Sequence, residues 1–110
     1  MKRIAMSAAA SGLLRALIAR AGVPRDRILL TNFRSTDWQS LTFSGERHEL
    51  CLRVPGPDST GVVEHLCRDL ESAEFNIPGQ IVADVGLAGM PVRADDGSTS
   101  LTIEALTIAE

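Results

Sequence analysis

The side chains of this sequence that could move a proton are its two histidines and the carboxylates near them. His48 directly follows a predicted turn over residues 44–47, and Asp37 lies in the loop or strand end opposite that turn. A histidine oriented by a carboxylate can act as a general base near neutral pH, so His48 with Asp37 is the candidate pair for a small enzyme. Glu46 is a further acidic candidate, whereas His65 is expected on the solvent side of a helix.

No motif in the sequence extends this pair to a known reaction. No serine stands in a Gly-x-Ser-x-Gly setting, and the two histidines have no partner at metal-ligand spacing. Cys51 and Cys67 form no Cys-x-x-Cys pair and are expected to be structural, although the sequence leaves a disulfide between them open. The glycine-containing segment 55–61 lacks both the P-loop lysine and the dinucleotide glycine spacing. We therefore predict no cofactor and no bound metal.

The single tryptophan, Trp38, lies in the segment TNFRSTDWQSLTF, residues 31–43. If this segment is one extended strand with a bend near residues 35–37, Trp38 and Arg34 share a face that is otherwise polar. In a two-layer fold, such a polar face is the one that helices leave uncovered. A tryptophan there either folds over the sheet edge, lies in a subunit contact or lines a ligand pocket.

The function that we predict is a non-catalytic binding or assembly module, a homo-oligomer that uses the open sheet face around Trp38. Its predicted binding or interface residues are Arg34, Asp37, Trp38 and His48. Arg34 lies two strand positions from Trp38, where it could serve as a second anchor or as a cation over the ring. The small enzyme with His48 and Asp37 remains an alternative, and so does a domain that binds a small-molecule ligand.

Length and composition are those of one folded domain over residues 1–110. Of the residues, 45% are hydrophobic and 23% are charged. A net charge of -3 argues against nucleic acid as a partner, because nucleic-acid binding needs a basic surface. No apolar run approaches the roughly 20 residues of a membrane span, so we predict no membrane partner either.

Residues 1–22 superficially resemble a signal peptide, with a basic start, an apolar middle and an Ala-x-Ala-like end. Arg15 interrupts the apolar part, and large apolar residues recur at helical spacing. We therefore predict an amphipathic helix over residues 8–21 of a cytoplasmic protein, ended by Gly22 in the left-handed conformation.

After this helix comes a strand, and residues 39–54 then predict a hairpin. In it SLTF and HELCLRV flank the turn SGER at 44–47, where Gly45 supplies the positive φ. A second helix is predicted over residues 59–73, and the last 32 residues predict a long hairpin through RADDGS.

The predicted fold class is α+β: a two-layer sandwich with two helices on one face of a mostly antiparallel sheet of four to five strands. The alternation of Leu50, Leu52 and Val54 with polar residues indicates a strand that is buried on one face only. The order αββαββ predicts a ferredoxin-like sheet or a circular permutation of it.

One segment resembles a known family. Residues 50–77, LCLRVPGPDSTGVVEHLCRDLESAEFNI, are similar to the opening strand and helix of ACT-type regulatory domains, in which a strand, an Asp and a Gly precede a helix. Asp58 and Gly61 are the matching residues. The resemblance implies a regulatory domain for a small ligand, although here a helix and strands come before the matching segment.

Overall fold

The first helix has the bounds that its sequence predicts. A computed structural model describes residues 5–110, and in it helix α1 spans Ala8–Ala21. Ser7 Oγ accepts a hydrogen bond from the Ala10 N–H (3.1 Å), and Gly22 ends the helix with a φ of 72°. The basic start of the signal-peptide-like pattern, Lys2 and Arg3, lies outside the described residues.

The first hairpin turns earlier than predicted. Strands β1 (Leu29–Gln39) and β2 (Ser44–Val54) are joined by residues 40–43, so SLTF forms the turn and SGER belongs to β2. The Ser40 N–H donates to the Phe43 carbonyl oxygen (2.8 Å), and the Phe43 N–H donates to Ser40 Oγ (3.1 Å). These two hydrogen bonds close the turn. The prediction of a turn at 44–47 is therefore wrong, and the condition that residues 31–43 form one strand is not met.

Gly45 is needed for a different reason from the one predicted. A Cβ atom at this position would lie 1.9 Å from the Thr107 carbonyl oxygen, so the residue permits a close approach of two strands. The predicted bend near residues 35–37 is also misplaced. The irregularity of β1 is a register shift between Leu30 and Asn32, where Thr31 is the extra residue.

The second helix is shorter than predicted. Helix α2 spans Ser59–Cys67, and Asp69 takes a left-handed φ of 52° before a short 3₁₀ turn at Leu70–Ser72. The Arg20 guanidinium of α1 donates hydrogen bonds to the carbonyl oxygens of Leu66 (2.9 Å) and Arg68. These contacts satisfy acceptors at the end of α2, which a continued helix would have used itself.

The C-terminal part forms the predicted hairpin with a short strand inserted in its connection. Strand β3 is Gln80–Leu87, β4 is Val92–Arg93 and β5 is Thr99–Ala109. Asp96 shapes the turn before β5, because its carboxylate accepts hydrogen bonds from the Ser98 N–H (2.9 Å) and hydroxyl (2.6 Å). These bonds, together with the Arg53 guanidinium, hold the pKa of Asp96 at about 2.

The sheet has the order β1-β2-β5-β3, with β4 also paired to β5, and every pairing is antiparallel. Both helices pack on one face of it, where Leu13 and Leu17 of α1 and Leu66 of α2 join Leu50 and Leu52 in the core. The fold class is thus the predicted α+β. Within residues 5–110, neither helix is long and apolar enough to cross a membrane.

Truncation of Leu52 tests the core. Its side chain is 1% exposed between Leu30 and Leu101 of the neighbouring strands. We expect Leu52→Ala to lower the free energy of unfolding by about 2–5 kcal/mol, because it removes buried methyl groups and leaves a cavity. Urea denaturation measures the loss. The half-exposed Leu29 is the control, and an equal loss for Leu29→Ala would contradict this core.

Candidate functional site

Cross-strand pairing determines which side chains share a face, because paired residues of an antiparallel sheet point to the same side. The face of Leu50 and Leu52 lies under the helices. We call the opposite one the open face. It comprises alternate residues from Asn32 to Trp38 on β1, from Gly45 to Arg53 on β2 and from Ser100 to Ile108 on β5, with Ile81, Asp84 and Gly86 on β3.

Trp38 lies on the open face, as predicted. It pairs with Gly45, is half-buried and takes no part in the core under the helices. Gly45 pairs in turn with Ile108, and Ile108 pairs with Ile81. One transverse row across four strands therefore contains three apolar side chains and one glycine, at the end of the sheet where the β1–β2 turn lies.

The turn itself adds apolar surface to this row. Leu41 at its tip is fully exposed, Phe43 is 56% exposed and Ile81 is 52% exposed. We call Trp38, Leu41, Phe43, Ile81 and Ile108 together the hairpin end. The sequence prediction missed all of these except Trp38, because Leu41 and Phe43 were assigned to a strand. The sequence feature that could have indicated them is the pair of large apolar residues, Leu41 and Phe43, directly after Ser40, a residue type that often closes turns.

Arg34 shares the open face with Trp38 but lies in a different depression. The Arg34 guanidinium is 3.5 Å from the carboxylate of Glu49 on the neighbouring strand. It lines a shallow cavity of about 290 Å³ together with Arg47 and Glu104. Trp38 lines a second cavity, of about 330 Å³, together with Ser44 and Glu46. The structure thus places both predicted anchors on one surface, two residue rows apart.

His48 lies on the helix-covered face, in the middle of β2, and is 2% exposed. Its Nδ1 is 2.8 Å from Ser35 Oγ of β1, and its Nε2 is 2.8 Å from Thr107 Oγ1 of β5. Each hydroxyl can donate or accept, so both ring nitrogens are satisfied in either neutral tautomer. The ring is therefore held across three strands by hydroxyl groups.

Asp37 forms no hydrogen bond with His48. It is exposed and lies directly opposite Glu46, two cross-strand pairs along from Ser35 and His48 and on the same face of the sheet. Burial lowers the pKa of His48, and the nearby charge of Glu46 opposes this effect. A neutral, buried imidazole between two hydroxyls is suited to fixing strand register. The predicted pair of general base and orienting carboxylate is not assembled by this geometry.

The remaining candidates are dispersed. His65 is exposed on α2, and Asp84 and Glu104 belong to the open face. Cys51 and Cys67 are both free thiols, and burial raises the pKa of Cys67. Within residues 5–110, no three His, Cys, Asp or Glu side chains are grouped so that they could hold a metal ion.

The burial of His48 predicts a pH dependence of stability. Because the pKa in the folded state lies below the ordinary 6.5, the unfolded chain takes up a proton first as the pH falls. The stability that neutral His48 contributes is complete about one pH unit above 6.5 and is lost progressively as the pH falls from there. We expect the urea midpoint to fall between about pH 7.5 and 5.5 and His48→Gln to flatten that slope. The exposed His65 is the control, and a slope abolished by His65→Gln alone would contradict the assignment.

The chain was compared with models of protein families and with curated proteins. No protein-family model matches it, and no curated protein matches it. What this protein does must therefore be inferred from its own residues, and the open face and hairpin end are where they point to binding.

Proposed function

We propose that this protein is a non-catalytic assembly module, a cytoplasmic homo-oligomer joined through the open face around Trp38. The observation that carries this proposal is the hairpin end. There, Trp38, Ile108 and Ile81 form one apolar row, and the exposed Leu41 and Phe43 extend it at the turn. Neither helix covers this surface, and aromatic side chains are the usual anchors of protein interfaces.

Burial energies support a contact centred on Trp38. A fully exposed aromatic side chain of this kind loses about 150–250 Å² of accessible surface on burial. At about 25 cal/mol per Å², this corresponds to about 4–6 kcal/mol, and to less for the half-buried Trp38. Leu41, Phe43 and Ile81 add further apolar area. The sum can offset part of the entropy that two subunits lose on association.

The edges of the sheet favour association through the face. The two outer strands, β1 and β3, each contain one extra residue, Thr31 and Ala83, which interrupts their pairing. Such bulges twist an edge and make it a poor template for a further strand. We therefore place the subunit contact on the open face.

We also propose that the sheet is a circularly permuted ferredoxin-like sheet. Joining the ends of a βαββαβ chain and opening it before its first helix gives the order αββαββ and places the last long strand between the second and third. The order β1-β2-β5-β3 supports this proposal, since β5 lies between β2 and β3. In such a sheet the helices occupy one face and leave the other for binding.

Replacement of Trp38 tests the assembly proposal. We expect wild-type protein to have a concentration-dependent mass above 11.8 kDa by light scattering and Trp38→Ala to shift the chain toward the monomer. Tryptophan emission of the wild type should move to the red on dilution, because dissociation exposes the indole. Arg34→Ala should move it in the same direction, since Arg34 lies on the same surface.

Met90 provides a matched control, because it is a large exposed apolar residue outside the hairpin end. Met90→Ala should leave the mass distribution unchanged. A wild-type chain that stays monomeric at all concentrations would refute the proposal. A monomer whose melting temperature rises in a metabolite screen would instead favour the ACT-like regulatory function.

A further inference from the structure

The apolar row of the open face is asymmetric from one sheet edge to the other. Trp38 stands at the β1 edge, Gly45 leaves the second position without a side chain, and Ile108 and Ile81 fill the two positions on β5 and β3. One half of the row therefore has a large aromatic ring beside a gap, and the other half has two branched side chains. If the same row of a second copy is placed over it in the opposite direction, the Trp38 ring contacts Ile81 of that copy and the gap at Gly45 faces its Ile108.

The charges of the open face are divided along the same line. The half formed by β1 and β2 carries Arg34, Arg47 and Arg53, with Glu49 as the one acid among its described residues. The half formed by β5 and β3 carries Glu104 and Asp84. No basic residue lies on the open face of those two strands in the part of the chain that the structure describes. The open face is thus basic on one side and acidic on the other.

We propose that two copies of this chain pack open face to open face about a two-fold axis parallel to the strands and midway between β2 and β5. This inference rests on the assembly function proposed above and specifies its geometry. Under this symmetry, β1 of one copy lies over β3 of the other, and β2 lies over β5. Trp38 then covers the partner's Ile81, and the gap at Gly45 faces the partner's Ile108.

Charge complementarity supports this axis. It lays the basic half of each copy on the acidic half of the other, so that Thr36 lies over the partner's Asp84 and Arg47 lies one row from the partner's Glu104. A row is two residues, or about 7 Å, along a strand, which an arginine side chain can span. Glu49 lies over the partner's Glu104, and this opposition of two acids is offset by Arg34, whose guanidinium is 3.5 Å from Glu49 within each copy. Each contact occurs twice, as a two-fold interface requires.

The other face-to-face arrangement is disfavoured by the same charges. A two-fold axis perpendicular to the strands would lay each strand on its own copy. Centred on the face, it would lay the basic half of each copy on the basic half of the other, with Arg34 opposite the partner's Arg34. Like charges opposed in this way oppose association. It would also move Trp38 to the end of the partner's face that lies farthest from the hairpin end.

Charge reversal with subunit mixing tests the geometry. Alone, Arg47→Glu brings an acid beside the partner's Asp84, and Asp84→Arg brings a base beside the partner's Arg47, because Arg47 and the partner's Asp84 lie in the same row, one strand apart. We expect each variant to have the monomer mass of 11.8 kDa at a concentration where wild type has twice that mass. An equimolar mixture of the two should recover the dimer, because every such pair is then of opposite sign. Circular dichroism establishes that each variant is folded.

The control mixture combines Arg47→Glu with Arg34→Glu, which both change the basic half, and it should remain monomeric. Recovery of the dimer in this control would overturn the geometry. A mixture of Arg47→Glu and Asp84→Arg that stays monomeric would also overturn the geometry. If Trp38→Ala still abolishes the wild-type dimer, that outcome leaves the assembly function standing. A wild-type chain that never dimerises would overturn both.

Cysteine cross-linking gives an independent readout if a charge variant does not fold. In a Cys51→Ser background, Thr36→Cys and Asp84→Cys chains are mixed and oxidised with copper phenanthroline. We expect a disulfide-linked dimer from the mixture that is at least several-fold more abundant than from either chain alone. Equal cross-linking of the mixture and of Thr36→Cys alone would contradict the proposed axis.

Discussion

Ten consecutive residue pairs join β2 to β5, from Gly45 with Ile108 to Val54 with Thr99, without a shift in register. Because side chains alternate along a strand, this one ladder assigns every residue of both central strands to the core or to the open face. A slip by a single residue would expose Leu50 and Leu52 and bury charges in their place. The outer strands adapt to the ladder, since each of them contains one bulge and then resumes the same alternation.

The helix-covered face changes character along this ladder. Leu52 and Leu50 lie under the helices, and the next residues of β2 on the same face are His48 and Glu46. His48 stays buried because hydroxyl groups from both neighbouring strands satisfy its ring nitrogens. A slipped register would leave this ring without partners, so a polar contact at the margin of the core disfavours competing alignments more strongly than another apolar side chain would.

The features that sequence reasoning predicted depend on neighbours in sequence, and those it missed depend on distant ones. The cap at Ser7 and the stop at Gly22 act within one helix, and they gave the correct bounds of α1. The early end of α2 involves Arg20, and the role of Gly45 involves Thr107, which comes 62 residues later in the chain. No local pattern reports such contacts.

The candidate site shows the same division. Alternation along β1 sufficed to place Trp38 on the uncovered face, because successive side chains of a strand point to opposite faces and no long-range contact has to be known. The partners of His48 were not predicted, since Ser35 and Thr107 come from two other strands. The hairpin end was missed because hydrogen bonds at Ser40 and Phe43 decided the turn. The glycine at 45 fits both the turn that was predicted and the strand that formed.

Gly45 couples the helix-covered face of the sheet to the open face, so that residues on both faces are expected to evolve together. Any side chain at position 45 would collide with the backbone of β5 at Thr107. The Thr107 hydroxyl contacts His48 on the helix-covered face, and the next residue, Ile108, lies on the open face. A substitution would therefore disturb the buried imidazole and the apolar row together. We expect related sequences that keep this histidine to keep the glycine as well. Substitutions at Trp38 or Ile108 should then be limited by Gly45, although Gly45 has no side chain of its own on the open face.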